Sequence, residues 1–267
     1  MGARGSVRGA DGKELVKMRH EALIDGTLVS WLQHGDEPLL YVHGVPDSAE
    51  LWTPFLERTG GIAVDLPGFG RSGKSAGWPY SLEGYAAFLP AFLDHVGLDR
   101  VTVVAHDWGG VALTLGPRIE RLVAIDTLPL LPGHRWPWIA RAWRTPMVGE
   151  LAMGFTGRTL LRRVGGLSAE HADQILRHFD HGTQRAILRL YRSARENVAA
   201  LDAITAPALV LWGEHDRYLD PAWADRIGAA LGGHTRVEVV PEAGHWPWLD
   251  RSEILQMVQD YVQLSGT

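Results

Sequence analysis

Short, nearly continuous apolar runs recur along the chain and alternate with stretches of helical periodicity. Runs this short and this apolar are typical of parallel strands that helices bury on both faces. A hairpin precedes them, because Asp25 and Gly26 separate two strand-like runs at 18–24 and 27–33. The alternation predicts an α/β fold with a mostly parallel sheet flanked by helices. The predicted parallel strands are 39–43, 61–65, 101–105, 122–125, 208–212 and 236–240, and the predicted helices between and after them are 50–57, 81–96, 221–231 and 251–262.

The middle of the chain has a different pattern. Between 128 and 201 no strand pattern is evident, and amphipathic spacing predicts a series of short helices. We therefore expect a helical cap over 128–201, inserted into an α/β core that spans 14–127 and 202–267. Residues 1–13 are rich in glycine and arginine, and we expect them to form a disordered leader. The predicted cap helices are 136–143, 147–153, 168–179 and 184–199.

Cysteine content and net charge limit the chemistry and the partners. The 267 residues include no cysteine, which excludes disulfide bonds, thiolate metal sites and a cysteine nucleophile. The formal net charge is −5 and no dense basic run occurs, so a nucleic-acid partner is not expected. No stretch approaches the roughly 18 consecutive apolar residues of a membrane span. The sequence predicts a cytoplasmic protein with neither nucleic acid nor a membrane among its partners, and it leaves the oligomeric state open.

One strand end has the pattern of a catalytic turn. In an open parallel sheet, ligands bind beyond the carboxyl ends of the strands, and the strand at 101–105 leads into His-Asp-Trp-Gly-Gly at 106–110. The paired glycines allow a sharp strand-to-helix turn with Asp107 at its apex, where a serine hydrolase has its serine. A carboxylate that attacks a carbonyl gives an unproductive anhydride, whereas at saturated carbon it displaces an alkoxide or a halide. Asp107 therefore indicates displacement at saturated carbon, unless it only caps the following helix.

Two further strand ends supply partners for Asp107. His245 follows the last predicted strand in a Gly-His pair, where a general base would face the turn, and Asp216 follows the strand before it. The order of nucleophile, acid and histidine along the chain is the order of this type of hydrolase. Asp126, at the end of the fourth parallel strand, is a second candidate for the acid. Each partner has an ordinary alternative, because a lone histidine is commonly structural and Asp216 also fits a turn.

Four motifs give the chain a resemblance to a known family. It resembles the α/β-hydrolase fold family, and within it the branch of epoxide hydrolases and haloalkane dehalogenases, with the greater similarity to epoxide hydrolases. The resemblance implies that Asp107 is the nucleophile, His245 the base that activates water, and Asp216 the acid. It also implies that the backbone N–H groups of Val45 and Trp108 form an oxyanion hole. The motifs are HGVP at 43–46, DLPGFGRS at 65–72, HDWGG at 106–110 and GHW at 244–246.

The two enzyme classes of this branch differ in what stabilises the leaving group. In epoxide hydrolases a cap tyrosine in a Tyr-Arg pair donates a hydrogen bond or a proton to the oxygen of the epoxide ring. Tyr191, the only tyrosine between 128 and 201, matches this tyrosine. The second cap tyrosine of that class is missing. Haloalkane dehalogenases hold the halide with two N–H donors; Trp108 matches one, and a cap tryptophan is a candidate for the other. The aromatic residues expected in the substrate pocket are Trp136, Trp138, Trp143, Phe155 and Trp246.

The expected function is the hydrolysis of a small apolar or aromatic epoxide to a vicinal diol, through a covalent ester on Asp107. The epoxide and water are the expected partners in this reaction, and neither a cofactor nor a metal is expected. Haloalkane dehalogenation by the same nucleophile is the alternative. A non-catalytic ligand-binding protein of this fold is an alternative of another class.

Overall fold

The computed structural model describes residues 5–8, 14–128, 131–163, 165–194 and 201–264. Within them, the strands are β1 Gly5–Arg8, β2 Glu14–Ile24, β3 Thr27–His34, β4 Leu39–Val42, β5 Gly61–Val64, β6 Val101–His106, β7 Ile119–Ile125, β8 Ala208–Gly213 and β9 Thr235–Val240. They form one sheet in the order β1-β2-β3-β5-β4-β6-β7-β8-β9. The pairs among β1, β2, β3 and β5 are antiparallel, and the other pairs are parallel. The predicted α/β fold with a mostly parallel sheet is confirmed.

Helices connect the strands and cover both faces of the sheet. They are α1 Thr53–Thr59, α2 Leu82–Val96, α3 Trp138–Arg144, α4 Val148–Gly154, α5 Arg158–Arg163, α6 Ala169–Leu176, α7 His181–Ser193, α8 Ala222–Ala230, α9 Pro247–Asp250 and α10 Glu253–Gln263. Narrower 3₁₀ helices span Ala49–Trp52, Asp107–Arg118 and Leu201–Ala203. No helix in the described parts of the chain is long and apolar enough to cross a membrane.

The predicted hairpin between β2 and β3 is confirmed. Ile24 pairs with Thr27, which leaves Asp25 and Gly26 as a two-residue turn. Both turn residues have positive φ angles, 46° at Asp25 and 76° at Gly26. A two-residue turn of this handedness matches the twist of the strands that it joins, and aspartate and glycine tolerate it best.

The continuous apolar runs exist because the central strands are buried on both faces. All residues of β4 and of β5 are buried. Successive side chains of a strand point to opposite faces, so Leu40 and Val42 join the core under α2, whereas Leu39 and Tyr41 pack with Trp52 on the other side. With an apolar layer on each face, neither face of these strands can carry polar residues, and the alternation typical of a half-exposed strand disappears.

Among the described residues, five α-helices, α3 to α7, lie between β7 and β8, and we call them the helical insertion. The expected helices at 136–143, 147–153 and 168–179 correspond to α3, α4 and α6, displaced by a few residues. The last expected helix, 184–199, begins earlier, at His181, and ends at Ser193; residues 195–200 lie outside the described residues. α5 was not predicted, because it is short and has only two adjacent apolar residues, Leu160 and Leu161, too few for an amphipathic pattern.

The expectation of a disordered leader over 1–13 is wrong for Gly5–Arg8. These residues form β1, which pairs antiparallel with the first four residues of β2. β3 pairs with β2 only from Met18 onward, so the earlier part of β2 would otherwise present unpaired backbone groups at the edge of the sheet. Residues 1–4 and 9–13 lie outside the described residues.

Gly109 gives a test of how tightly the turn after β6 packs. A Cβ atom at this position would lie 2.0 Å from the carbonyl oxygen of Val42, a backbone atom that cannot move aside. We expect Gly109→Ala to lower the free energy of unfolding by about 1–3 kcal/mol, in the range of overpacking substitutions. Gly154→Ala is the control, because a Cβ atom there meets nothing within 4 Å. Equal unfolding midpoints of the two variants in urea would contradict the packing described.

Candidate active site

Asp107 lies at the apex of the turn between β6 and the 3₁₀ helix, as predicted. Its φ angle is 51°, a conformation that non-glycine residues rarely adopt, and the turn therefore projects its side chain away from the sheet. Gly44 makes room for it, since a Cβ atom on Gly44 would lie 2.4 Å from the Cβ atom of Asp107. The backbone N–H of Val45 donates a hydrogen bond of 2.8 Å to Oδ1 of Asp107. One carboxylate oxygen is thus held at the backbone donor, and Oδ2 remains for other contacts.

The structure brings His245 and Asp216 to the same place. Nδ1 of His245 lies 2.7 Å from Oδ2 of Asp216, and Nε2 lies 3.6 Å from Oδ2 of Asp107. The other oxygen of Asp216 accepts hydrogen bonds from the backbone N–H groups of Tyr218, at 2.7 Å, and Leu219, at 3.1 Å. The three predicted residues therefore form a connected series in which the imidazole ring stands between two carboxylates.

The charge of His245 is set by these two carboxylates. Burial alone would lower the pKa of His245, but the negative charges and hydrogen bonds of Asp216 and Asp107 outweigh it and raise the pKa well above its ordinary value. Burial would likewise raise the pKa of Asp216, and the His245 imidazolium holds it below its ordinary value. This balance favours the imidazolium form of the ring, paired with Asp216.

Asp126, the second candidate acid, lies behind Asp216. A carboxylate oxygen of Asp126, one of Asp216 and a ring nitrogen of His245 all lie within 4.8 Å of one another. Among the described residues, however, Oδ2 of Asp126 has no hydrogen-bond partner. Its Oδ1 accepts a hydrogen bond from the N–H of Gly213 at 2.9 Å. Burial, and then the negative charge of Asp216, raise the pKa of Asp126 well above its ordinary value. The geometry therefore favours Asp216 over Asp126 as the ionised partner of His245.

His106, which precedes Asp107, was not predicted to take part in the site. Burial, and then the nearby charge of His245, lower the pKa of His106 to about 4, so its ring is neutral. Nε2 of His106 lies 2.7 Å from the carbonyl oxygen of His245, and because a carbonyl only accepts, the hydrogen is on Nε2. His106 therefore fixes the backbone that carries His245. Successive side chains of β6 point to opposite faces of the sheet. This alternation is the signal that could have revealed on which face of the sheet His106 lies.

A cavity of about 410 Å³ opens beside Asp107 and His245, between the strand ends and the helical insertion. Four of the five predicted aromatic residues line it, namely Trp136, Trp138, Trp143 and Trp246. The prediction for Phe155 is wrong, since Phe155 does not line the cavity and is 79% exposed. The physical reason is the orientation of α4: Gly149 and Met153 are buried, and Phe155 follows on the opposite, outward face.

Tyr191 lies in this cavity, inside a cluster of tryptophans. Its ring centroid is 4.8 Å from that of Trp108, 4.9 Å from Trp143 and 5.6 Å from Trp136. Burial, and then the negative charge of Asp107, raise the pKa of Tyr191 well above its ordinary value, while a hydrogen bond with the Trp108 side chain opposes the rise. Arg144 donates to the backbone carbonyl of Tyr191 and thereby fixes its position on α7. A neutral phenol therefore stands near the Asp107 carboxylate.

Tyr218 is a cavity residue that the sequence reasoning missed. Its ring packs edge-on to His245 with centroids 5.0 Å apart, and its hydroxyl donates to the carbonyl of Gly165 in the insertion at 3.0 Å. Burial raises the pKa of Tyr218 to about 12. Its place two residues after Asp216, on the same loop, is the signal that could have revealed it.

A second missed contact joins the insertion to the core beside the site. Oδ1 of Asp47, in the loop after β4, lies 2.7 Å from Nε2 of His171 on α6, and Oδ2 accepts a hydrogen bond of 3.0 Å from Nε1 of Trp246. Burial alone would raise the pKa of Asp47, but the charge and hydrogen bond of His171 hold it below its ordinary value. The contact therefore anchors α6 next to the residue that follows His245.

The comparisons with known proteins agree with this architecture. A sequence profile described as the Alpha/beta hydrolase family matches residues 39–256. Haloalkane dehalogenase 2 of Mycobacterium tuberculosis is 27% identical over 241 residues, covering 78% of this chain and 82% of that protein. Epoxide hydrolase 3 of Xenopus tropicalis is 23% identical over 275 residues, covering 84% of this chain and 71% of that protein. Among solved structures, a haloalkane dehalogenase from Bradyrhizobium elkani has a TM-score of 0.77 and 25% identity, covering 91% of this chain and 97% of that chain.

The roles of the two buried acids are separated by Asp216→Asn and Asp126→Asn. Removing the charge of Asp216 should lower the pKa of His245, measured by NMR titration, and cost about 3–5 kcal/mol of unfolding free energy, as for a broken buried ion pair. Asp126→Asn should leave that pKa nearly unchanged, since the carboxyl that it replaces is neutral and its amide oxygen can still accept from Gly213.

The stability of Asp126→Asn should also depend on pH in a defined direction. A folded-state pKa above the unfolded value contributes stability below the unfolded pKa, and that contribution is lost as pH rises toward the folded pKa. The stability of Asp126→Asn relative to the unmodified protein should therefore increase from pH 4 to pH 8, measured by thermal unfolding. If the pKa of His245 fell equally in Asp216→Asn and Asp126→Asn, Asp126 would carry part of the negative charge that raises this pKa.

Proposed function

Since the chain belongs to the alpha/beta hydrolase family, we propose that it hydrolyses an apolar or aromatic epoxide to a vicinal diol through a covalent ester on Asp107. Its relatives named haloalkane dehalogenase and epoxide hydrolase support this branch of the family. The observation that carries the choice of epoxide is the neutral phenol of Tyr191 in the cavity, near the Asp107 carboxylate. An alkoxide leaving group needs a proton donor, whereas a halide needs only N–H contacts.

The first step forms the ester. Oδ1 of Asp107 is held by the N–H of Val45, so Oδ2 attacks a ring carbon in line with the carbon–oxygen bond that breaks. The departing alkoxide takes the hydroxyl proton of Tyr191. Trp108 supports this role, because its indole lies 4.8 Å from the Tyr191 ring and opposes the rise in the pKa of Tyr191, which favours the phenolate that remains. The aromatic lining of the cavity suits an apolar substrate and excludes water from the reacting atoms.

The second step hydrolyses the ester. Esterification removes the negative charge of Asp107, one of the two charges that raise the pKa of His245, so that pKa falls and the ring becomes available as a base. His245, oriented by Asp216, takes a proton from water, and the hydroxide attacks the ester carbon of Asp107. The N–H groups of Val45 and Trp108 hold the resulting oxyanion. The diol leaves with the proton from His245, and the proton released as Asp107 ionises restores Tyr191. His245 then takes back from solvent the proton that it gave up to solvent when the ester formed.

Haloalkane dehalogenation is the second candidate, and one observation favours it. Nε1 of Trp143 is buried and has no hydrogen-bond partner among the described residues, and Trp143 lines the cavity. Together with Trp108 it could supply two indole N–H groups to a departing halide. Against this, the Trp108 side chain already packs against Tyr191, with ring centroids 4.8 Å apart, and interacts with its hydroxyl. Hydrolysis of the ester would follow the same second step for either substrate.

Tyr191→Phe separates the two reactions. If Tyr191 is the acid, the variant should lose about 10²- to 10⁴-fold in diol formation from styrene oxide, the usual contribution of a general acid. Diol and free bromide, the latter from 1,2-dibromoethane, are measured in parallel. Tyr85→Phe is the matched control, because Tyr85 is buried and its hydroxyl donates to Pro67 outside the cavity. Bromide without diol from the unmodified protein would establish the second candidate, and ligand binding without either product would favour a non-catalytic protein.

His245→Gln tests the covalent ester. Without a base the ester should persist, and intact-protein mass spectrometry should show an adduct of one substrate mass that maps to Asp107. The unmodified protein should accumulate the same adduct as pH falls, because protonated His245 cannot take a proton from water. Asp107→Asn is the control and should form no adduct. Full turnover by His245→Gln without an adduct would contradict the mechanism.

A further inference from the structure

The cavity roof, defined here as residues 135–163, presents apolar side chains to solvent on its outer side. Met147, Leu151 and Phe155 are 78%, 64% and 79% exposed and follow one another at intervals of four residues, so they form a stripe along α4. Trp138 on α3 is 57% exposed and also lines the cavity. Buried side chains on α4 point the other way, toward α7, where a Cβ atom on Gly149 would meet Leu188. The stripe is therefore not covered by the rest of the described protein.

The same roof is strongly cationic. Between 135 and 163 the sequence has six arginines and one acidic residue, Glu150, whose carboxylate is bound by Arg192. In the described part of the chain, no carboxylate lies within 4 Å of the four exposed arginines at 135, 141, 162 and 163. Arg141 follows Trp138 by one turn on the exposed side of α3, and Arg162 and Arg163 end α5. Free positive charge thus borders the apolar stripe.

The positive charge of the roof contrasts with the rest of the molecule. The span 128–201 has eleven basic and five acidic residues, whereas the remainder has fifteen basic and twenty-six acidic residues. The overall charge of −5 is therefore the sum of a basic insertion and a strongly acidic core. Exposed apolar residues beside unpaired arginines are the features by which a protein surface binds the headgroup region of an anionic bilayer.

We propose that the cavity roof docks on an anionic lipid surface. Met147, Leu151 and Phe155 enter the headgroup boundary, and the arginines bind lipid phosphates. A second copy that presented the same face would set unpaired arginines against arginines, which disfavours self-association through this patch. The proposal revises the expectation that no membrane is a partner. That expectation rested on the lack of a membrane-spanning segment and on the net charge of the whole chain, and neither describes the charge of a single face.

Docking would connect the bilayer with the cavity. α3 and the segment 156–161 line the cavity with their inner sides, and Trp138 is both exposed and part of the lining. An apolar substrate dissolved among acyl chains could therefore enter beside Trp138 without crossing water. This step rests on the proposed function, whereas docking itself does not.

Sedimentation with vesicles tests the docking separately from any activity. The full chain is mixed with phosphatidylcholine vesicles, with or without one-third phosphatidylglycerol, at low and at physiological salt. We expect binding only to the anionic vesicles, weakened by salt because exposed charges are screened. Leu151→Ser/Phe155→Ser and Arg162→Glu/Arg163→Glu should each weaken it by about tenfold or more, given the contribution of each buried apolar group and each basic residue.

Matched variants outside the roof control for general loss of surface character. Leu23→Ser removes an exposed leucine from the β2–β3 hairpin, and Arg58→Glu/Arg71→Glu reverses the charge of two exposed arginines outside the roof. Both should bind vesicles like the unmodified protein, and thermal unfolding verifies that all variants fold. The proposal is overturned if anionic vesicles do not bind the protein, or if roof and control variants bind alike. It is equally overturned if the roof variants change self-association or duplex DNA binding and leave vesicle binding intact.

Discussion

The site depends on one buried arrangement of charge, the imidazolium of His245 between the carboxylates of Asp107 and Asp216. Each of these groups would be costly to bury alone, and each is acceptable because its neighbour has the opposite sign. The three residues come from the ends of β6, β8 and β9, so the parallel sheet is what brings them together. Two neighbouring groups are kept neutral by burial and by a like charge beside them: Asp126 lies next to Asp216, and His106 next to His245.

Much of this arrangement is predictable from the sequence, because the residues that specify it are close together in the chain. The turn at Asp107 is specified by its neighbouring glycines, and the hairpin by Asp25 and Gly26. The contacts that sequence reasoning missed are long-range. His171 meets Asp47 from 124 positions away, and Tyr218 reaches Gly165 across the boundary between core and insertion. No periodicity in the sequence specifies how an inserted segment is placed on a core, so such pairs follow only from the packed structure.

Whole-chain averages also conceal the distribution of polar and apolar surface. The prediction that Phe155 lines the pocket treated aromatic character as a sign of burial, but the face of α4 is decided by Gly149 and Met153. Likewise the net charge of −5 is a sum over the whole chain and does not show that the arginines concentrate on the insertion. Which side chains of a helix are exposed depends on the element against which the helix packs, and the sequence alone does not identify that element.

The insertion is attached to the core unevenly. α6 and α7 are fastened by His171 to Asp47, by Asp180 to Lys74 and by the Thr183 hydroxyl to the carbonyl of Gly68. The ion pairs of α4 and α5 in the described residues, Glu150 with Arg192 and Arg158 with Asp173, stay inside the insertion. Displacing α6 or α7 would therefore break bonds to the core directly. The ion pairs of α4 and α5 hold these two helices to α7 and α6 instead, so a movement of α6 and α7 would carry α4 and α5 with it.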